Sequence, residues 1–192
     1  MGQKVGKADF QEDAKPFVNL PGDAIRAIWQ EFNLYADSWG IDADFCKQLC
    51  GAVTKCLGME RNDKAAEALF QALDTDKNGL VDGLEFISSI GLVSGMTAME
   101  KVTFLFTCFD IGERSFLSME ELFLLLKSCF TGLCKLSSVD PPDPEQFEAV
   151  AQLVLKQGEE ENSKPNGVSL DNFSEYCQNN PVACSWLAFY DD

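Results

Sequence analysis

Residues 74–85 read DTDKNGLVDGLE and place oxygen donors at alternate positions: Asp74, Asp76 and Asn78, then Asp82, with Glu85 closing the run. The spacing meets D-x-[DN]-x-[DN]-G-x5-E at every required place. An all-oxygen set of this kind suits a hard divalent cation, because Ca2+ takes about six to eight oxygens. Alternate side chains along a turning backbone converge from one side. Gly79 permits the sharp turn that convergence needs. Leu80 offers its backbone carbonyl, Asp82 acts directly or through water, and Glu85 is long enough to supply two oxygens from the exiting helix. Val81 stands where an aliphatic residue would bridge to a second loop. An acidic surface turn would not also require Phe70 and Leu73 before the run and Phe86 after it, spaced as packing anchors.

Other chemistries are poorly served. The chain has 192 residues, with 15 Lys plus Arg against 31 Asp plus Glu, a net charge of -16. Such a charge argues against nucleic acid as partner, since phosphate binding needs a basic footprint. Histidine is absent, which removes Ser-His and Cys-His pairs and imidazole metal sites. No nucleophile–base motif stands out, so the expectation is a non-enzyme. Apolar residues make up 46%, with 15 Phe, too many for a disordered acidic chain. Residues 1–20 lack the apolar segment of a signal peptide, and no stretch reaches the roughly 20 apolar residues of a membrane span. The expected setting is therefore cytoplasmic. There, eight cysteines at 46, 50, 56, 108, 129, 134, 177 and 184 would stay reduced and mostly buried. The sharper alternative is redox control of metal affinity. Cys46 and Cys50 lie one turn apart on a helix, and Cys129 and Cys134 could bridge if Gly132 ended theirs.

The elements that must position this loop read as helices throughout. Apolar periodicity predicts helices over about 23–32, capped by Asp23, and 42–57, with Phe45, Leu49, Val53 and Cys56 inward and Gly58 as stop. Further helices are predicted over 62–73 and 82–90, the latter ending at Gly91. Thr97 with Glu100, and Ser118 with Glu121, are capping boxes that open two more helices. The second is very apolar (LFLLLKSCF) and serves either as core or as a groove for a target helix. Residues 136–144 form a connector, Pro144 starts a helix with Asp143 as its cap, and short helices follow over 170–177 and 181–189. The predicted class is all-α. Residues 1–20 read as a mobile arm, and GLVSG at 91–95 as a linker between a first unit, 21–93, and a second, 94–192.

The anchor spacing around the loop recurs. Trp29, Phe32 and Phe45 repeat it and would put Asn33, Tyr35, Asp37 and Asp44 at ligand places, with Ser38 for the turn glycine, so no calcium is expected there. Phe106, Phe109 and Leu122 repeat it again around residues 110–121. Here Asp110 and Glu121 are kept, Gly112 has no side chain, and Arg114 brings a positive charge that could pair with Asp110 or Glu121 in place of an ion. A fourth copy is marked by Val168, Ser169 and Phe173. It has Asn172 at the closing place, Pro165 at the fifth, and no expected ion.

This pattern resembles the EF-hand superfamily over nearly the whole chain, as two EF-hand pairs with one intact loop. The order of a defective hand, an intact hand and two further hands resembles neuronal calcium sensors and calaxin-type ciliary proteins. The start MGQKVGKADF and the cysteines resemble the EF-hand subunits of outer dynein arm docking complexes. That resemblance implies a calcium-responsive adaptor on the cilium or flagellum axoneme. It would bind coiled-coil docking complex subunits and anchor the dynein arm to the doublet microtubule, with Asp74, Asp76, Asn78, Leu80, Asp82 and Glu85 holding the ion. Against acylation, Gly6 stands where the M-G-x-x-x-[ST] pattern wants Ser or Thr. The donor count suggests a sensor-range affinity of roughly 10⁻⁷ to 10⁻⁵ M, with Mg2+ as competitor. A helical partner with a basic face would suit the acidic surface. The alternatives are a calcineurin B-like regulatory subunit of an enzyme and a calcium buffer.

Overall fold

The computed structural model describes residues 19–36, 38–160, 167–180, 184 and 187, with no side chains described at 158–160. The predicted arm at 1–18 and most of the predicted helix at 181–189 lie outside these residues, as does Asp37. Among the described residues there are eight helices: α1 Gly22–Tyr35, α2 Ala43–Leu57, α3 Asp63–Leu73, α4 Gly83–Leu92, α5 Ala98–Phe109, α6 Met119–Ser137, α7 Pro144–Glu160 and α8 Leu170–Asn179. The one small sheet pairs β1 (Gly40–Ile41) antiparallel with β2 (Val81–Asp82), Ile41 opposite Val81 and Gly40 opposite Asp82. Leu117 and Val168 make an isolated antiparallel bridge. All four apolar residues of these two contacts are buried.

Local chemistry accounts for the helix ends. Asp42, Asn62, Asp82 and Ser169 each accept a backbone N–H from the first turn they open, and both capping boxes form as spaced. Each such cap contributes about 1 kcal/mol. Gly58 closes α2 at φ 64°, the left-handed conformation glycine adopts without penalty. Asp23 is not the cap of α1. The cap position is Pro21, which makes no side-chain bond, and Asp23 pairs instead with Arg26 at 2.7 Å.

Packing changes several other expectations. On α2, Cys46, Leu49, Cys50 and Val53 are buried while Cys56 is exposed, a rotation of the predicted stripe toward α1 and α3. Gly91 does not stop α4, which continues to Leu92; a Cβ at Gly91 would stand 2.8 Å from the Phe104 ring. Its glycine serves close approach to α5 rather than termination, and the following Val93, Ser94 and Met96 are buried. Gly132 likewise lies inside α6, which runs on to Ser137.

The apolar run on α6 is core. Leu122, Leu125 and Leu126 are buried, Phe123 and Leu124 pack half-buried against them, and α3, α4, α5 and α7 all contact this helix. A helix apolar on every side is stable only when covered on every side. Each fully buried Leu contributes roughly 2–3 kcal/mol. The core is continuous from Leu20 to Leu187. Lys101, fully buried on α5, donates to the Leu187 carbonyl at 3.2 Å, giving its charge the partner a buried ammonium requires.

Candidate metal centre

The loop between α3 and α4 is shaped by its own oxygens. Asp74 caps the end of α3 and turns both carboxylate oxygens inward: Oδ1 accepts from Asn78 N at 3.1 Å and Oδ2 from Gly79 N at 3.1 Å. Asp76 Oδ1 accepts from Asn78 N at 3.3 Å, and Asn78 Oδ1 accepts from Leu80 N at 2.7 Å. The backbone reaches this shape through left-handed residues at Lys77 (φ 56°) and Gly79 (φ 82°). Leu80 is exposed and Val81 buried in the β pair. Asp82 Oδ1 accepts from Leu84 N at 2.8 Å and Glu85 N at 3.0 Å, so it caps α4.

Glu85 is the exception. Its Oε2 is buried and stands 2.7 Å from Lys135 Nζ on α6. Asp74, Asp76 and Asn78 are thus brought together by shared hydrogen bonds, while Asp82 caps α4 and Glu85 pairs with Lys135. Among the described residues no group of three His, Cys, Asp or Glu side chains converges to clasp an ion. The donor set itself, carboxylate, amide and carbonyl oxygens around a turn already folded, has the chemistry a hard divalent cation requires.

The loop between α5 and α6 repeats this backbone with a different interior. Asp110 Oδ1 accepts from Arg114 N at 2.9 Å and Oδ2 from Ser115 N at 2.8 Å, and Glu113 and Ser115 take the positive φ values, 50° and 61°. Glu121 folds inward here. Its Oε1 accepts from Gly112 N at 3.2 Å, and its Oε2 accepts from Ser118 N at 2.9 Å and from Arg114 Nη2 at 2.6 Å. The Arg114 guanidinium also lies 4.7 Å from the Phe116 ring centre, within cation–π reach. Burial pushes the Glu121 carboxyl up, but the Ser118 and Gly112 N–H groups and the Arg114 cation outweigh it and hold it below the usual carboxylate value. Of the two partners foreseen for Arg114, its side chain takes Glu121.

The first repeat departs from its expected register. Asn33 and Tyr35 are inside α1, and Asp44 is in the first turn of α2. Only six positions separate the caps Ala36 and Asp42, against eight from Asp74 to Asp82 and eight from Asp110 to Ser118. Aromatic packing sets the frame: Phe32 meets Trp29, Trp39 and Phe45 at ring-centre distances of 5.6 to 6.0 Å. Gly83 N donates to Trp39 O at 2.6 Å, and a Cβ at Gly83 would stand 2.7 Å from the Phe32 ring. In the fourth repeat, Ser169 caps α8 and its Oγ lies 2.9 Å from Asn172 Oδ1. Pro165 lies outside the described residues.

All eight cysteines are free. Cys129 and Cys134 share one continuous helix. Burial pushes the Cys108 and Cys129 thiols up, and a hydrogen bond with Cys46 together with burial does the same for Cys50. Cys177 and Cys184 hydrogen-bond to each other, which lowers Cys184 and raises Cys177. A raised thiol pKa keeps the reactive thiolate scarce.

Lys135 is what the sequence reasoning missed at this site. It lies 50 positions after Glu85, on a helix whose packing partners periodicity does not reveal.

No protein-family model matches the chain. The chain is similar to calcium-binding protein J of Dictyostelium discoideum, 28% identical over 128 residues, which cover 64% of this chain and 61% of that protein. It is 31% identical to human calaxin over 96 residues, covering 50% of this chain and 44% of calaxin. A recoverin family protein of Dictyostelium discoideum is 26% identical over 135 residues, covering 66% and 60%. The chain therefore spans about half the length of the curated relatives it matches. They are calcium-binding proteins of the calaxin and recoverin type, and this chain is their relative at modest identity.

Proposed function

We propose that this protein is a non-enzymatic calcium-binding adaptor in which residues 74–85 hold one Ca2+, with Mg2+ as competitor. Asp74, Asp76 and Asn78 supply side-chain oxygens, Leu80 its carbonyl, Asp82 a direct or water-borne oxygen, and Glu85 two oxygens after leaving Lys135. The ion supplies positive charge that draws these oxygens together and ties the end of α3 to the start of α4. Residues 21–93 and 94–192 each form an EF-hand pair, a division supported by the Ile41–Val81 and Leu117–Val168 contacts.

The observation that carries this reading is the difference between the second and third loops. Both have the same backbone and the same inward aspartate, but only the second keeps an oxygen at each ligand place; the third has an arginine paired with its closing glutamate. Calcium calorimetry on the full chain tests it: one ion per chain is expected, lost in Glu85→Gln. Unchanged uptake in that variant, or none in the parent, would sink the reading.

The partner in this reading is a helical or coiled-coil segment with a basic face, of the kind found in the docking complex that holds the outer dynein arm on the axonemal doublet microtubule. The likeness to calaxin and the charge of -16 support it. A cleft of about 840 Å³, whose lining includes Trp29, Trp39, Phe106 and Ile111 together with Asp110 and Glu113, offers both the apolar and the acidic groups such a helix needs. Affinity capture from ciliary extract, with and without calcium, tests the assignment; a phosphatase or kinase helix as the only prey would favour the enzyme-subunit alternative.

A further inference from the structure

The closing glutamate of the 74–85 loop belongs, in this fold, to a contact between two helices far apart in the chain. A Cβ at Gly132 would stand 2.7 Å from the Glu85 carbonyl and 2.8 Å from Ser89 Cβ, so α6 touches α4 only because glycine occupies that position. Lys135, just under one turn further on, is carried by this close approach to Glu85. The two charges meet at 2.7 Å, with the side chains 23% and 14% exposed.

We infer that Lys135 competes with the metal for Glu85, and so sets the calcium affinity of residues 74–85 from the other half of the chain. The inference rests on reading those residues as a calcium loop. Two observations separate this pair from an ordinary surface ion pair, which contributes little. It is largely withdrawn from solvent, where attraction is less screened. And in the 110–121 loop the closing Glu121 takes a partner from its own loop: it folds inward onto Gly112 N and Ser118 N and pairs with Arg114 at 2.6 Å. Glu85 cannot give both oxygens to an ion while Oε2 is held by an ammonium. Metal binding therefore includes the cost of freeing Glu85, and by linkage it loosens the α4–α6 contact by the same factor. Lys135 is a positioning residue: it acts on the metal through Glu85.

The test is calcium calorimetry on the full chain, comparing the parent with Lys135→Met, Lys135→Arg and Lys127→Met. Methionine keeps the aliphatic stem in its packing and removes the ammonium. Lys135→Met should bind calcium at least about fivefold more tightly. Lys135→Arg, which keeps a cation at Glu85, should stay within about twofold of the parent, as should Lys127→Met, which removes an equal charge from an exposed position of the same helix. Melting gives a second measure: Lys135→Met should lower Tm in chelator and leave it unchanged in saturating calcium. Equal affinity in the parent and Lys135→Met, with both binding, overturns this inference and leaves the loop reading intact. Equal tightening in Lys127→Met overturns it as well, because general charge would then explain the effect. No uptake by the parent removes the loop reading and this inference with it. Should Lys135→Met fail to fold by circular dichroism, Lys135→Gln takes its place with the same expected outcomes.

Discussion

The loops at 74–85 and 110–121 start from the same plan and end in opposite electrostatic states. Each begins with an aspartate that caps the incoming helix and accepts two N–H groups from the turn. Each closes with a glutamate in the first turn of the outgoing helix. In the third loop the glutamate folds in and an arginine of the same loop meets it, so the positive charge is covalently built in and always present. In the second loop the closing glutamate is paired instead with a lysine from another helix. One loop is closed permanently. The other, in the proposed reading, has its closing residue on loan to Lys135.

The comparison can be broken by exchanging the parts. The largest effect is expected from Glu85→Gln, which removes a charged, two-oxygen ligand and should weaken calcium binding by at least about 100-fold. Glu121→Gln, measured in the same calorimeter, should leave calcium uptake unchanged. If the two variants lose calcium equally, the loops are not different in the way described.

Rebuilding the third loop sharpens the contrast. A Cβ at Gly112 would lie 2.6 Å from Arg114 Nε, so a ligand can be introduced only if the arginine leaves. Gly112→Asp together with Arg114→Asn should raise the stoichiometry from one ion to two, the new site being weaker because Ser115 stands at the turn where glycine is preferred. Gly112→Asp alone should gain no ion in the same calorimetry, because Arg114 keeps its pairing with Glu121.

The pairing contacts offer a third comparison. Gly83→Ala pushes a methyl into the Phe32 ring, and Gly167→Ala pushes one to within 2.2 Å of Phe116. Each should cost about 1–3 kcal/mol of stability, but only Gly83→Ala should also weaken calcium binding, since Gly83 lies between Asp82 and Glu85, the ligands in the proposed reading. The smallest effect is expected from acid. The Glu121 carboxyl ionises below its ordinary value of 4.5 in the folded chain, so its stabilisation is fully present above that value and is lost as pH falls through the folded one. In chelator, the stability gap between the parent and Glu121→Gln should narrow across this window by less than about 1 kcal/mol.

The turn at 74–80 was legible because the side chains that fold it are contiguous: Asp74, Asp76 and Asn78 accept backbone N–H groups from within five residues. Thr97 with Glu100 and Ser118 with Glu121 were legible for a similar reason: a capping box satisfies its bonds within four residues. The glycines misled. Gly91 and Gly132 look like helix stops, yet each sits inside a helix at a point where a neighbour comes too close for a Cβ. In the first repeat, anchor spacing placed Asn33 and Tyr35 in a loop, while packing of Phe32 among three aromatic rings extends the helix through them. The LFLLLKSCF run could be core or groove until its four neighbouring helices were known.

Sequence alone determined what short-range chemistry governs: helical periodicity, the two capping boxes, the turn that Asp74, Asp76 and Asn78 fold, and the arginine carried by the third loop. Tertiary structure decided which side of each helix faces inward, the shortened first loop, and the state of Glu85. That last outcome depends on Lys135 arriving beside Glu85 through a glycine contact between α4 and α6. A Coulomb interaction depends on distance in space, and the chain order of two residues 50 positions apart carries no record of that distance.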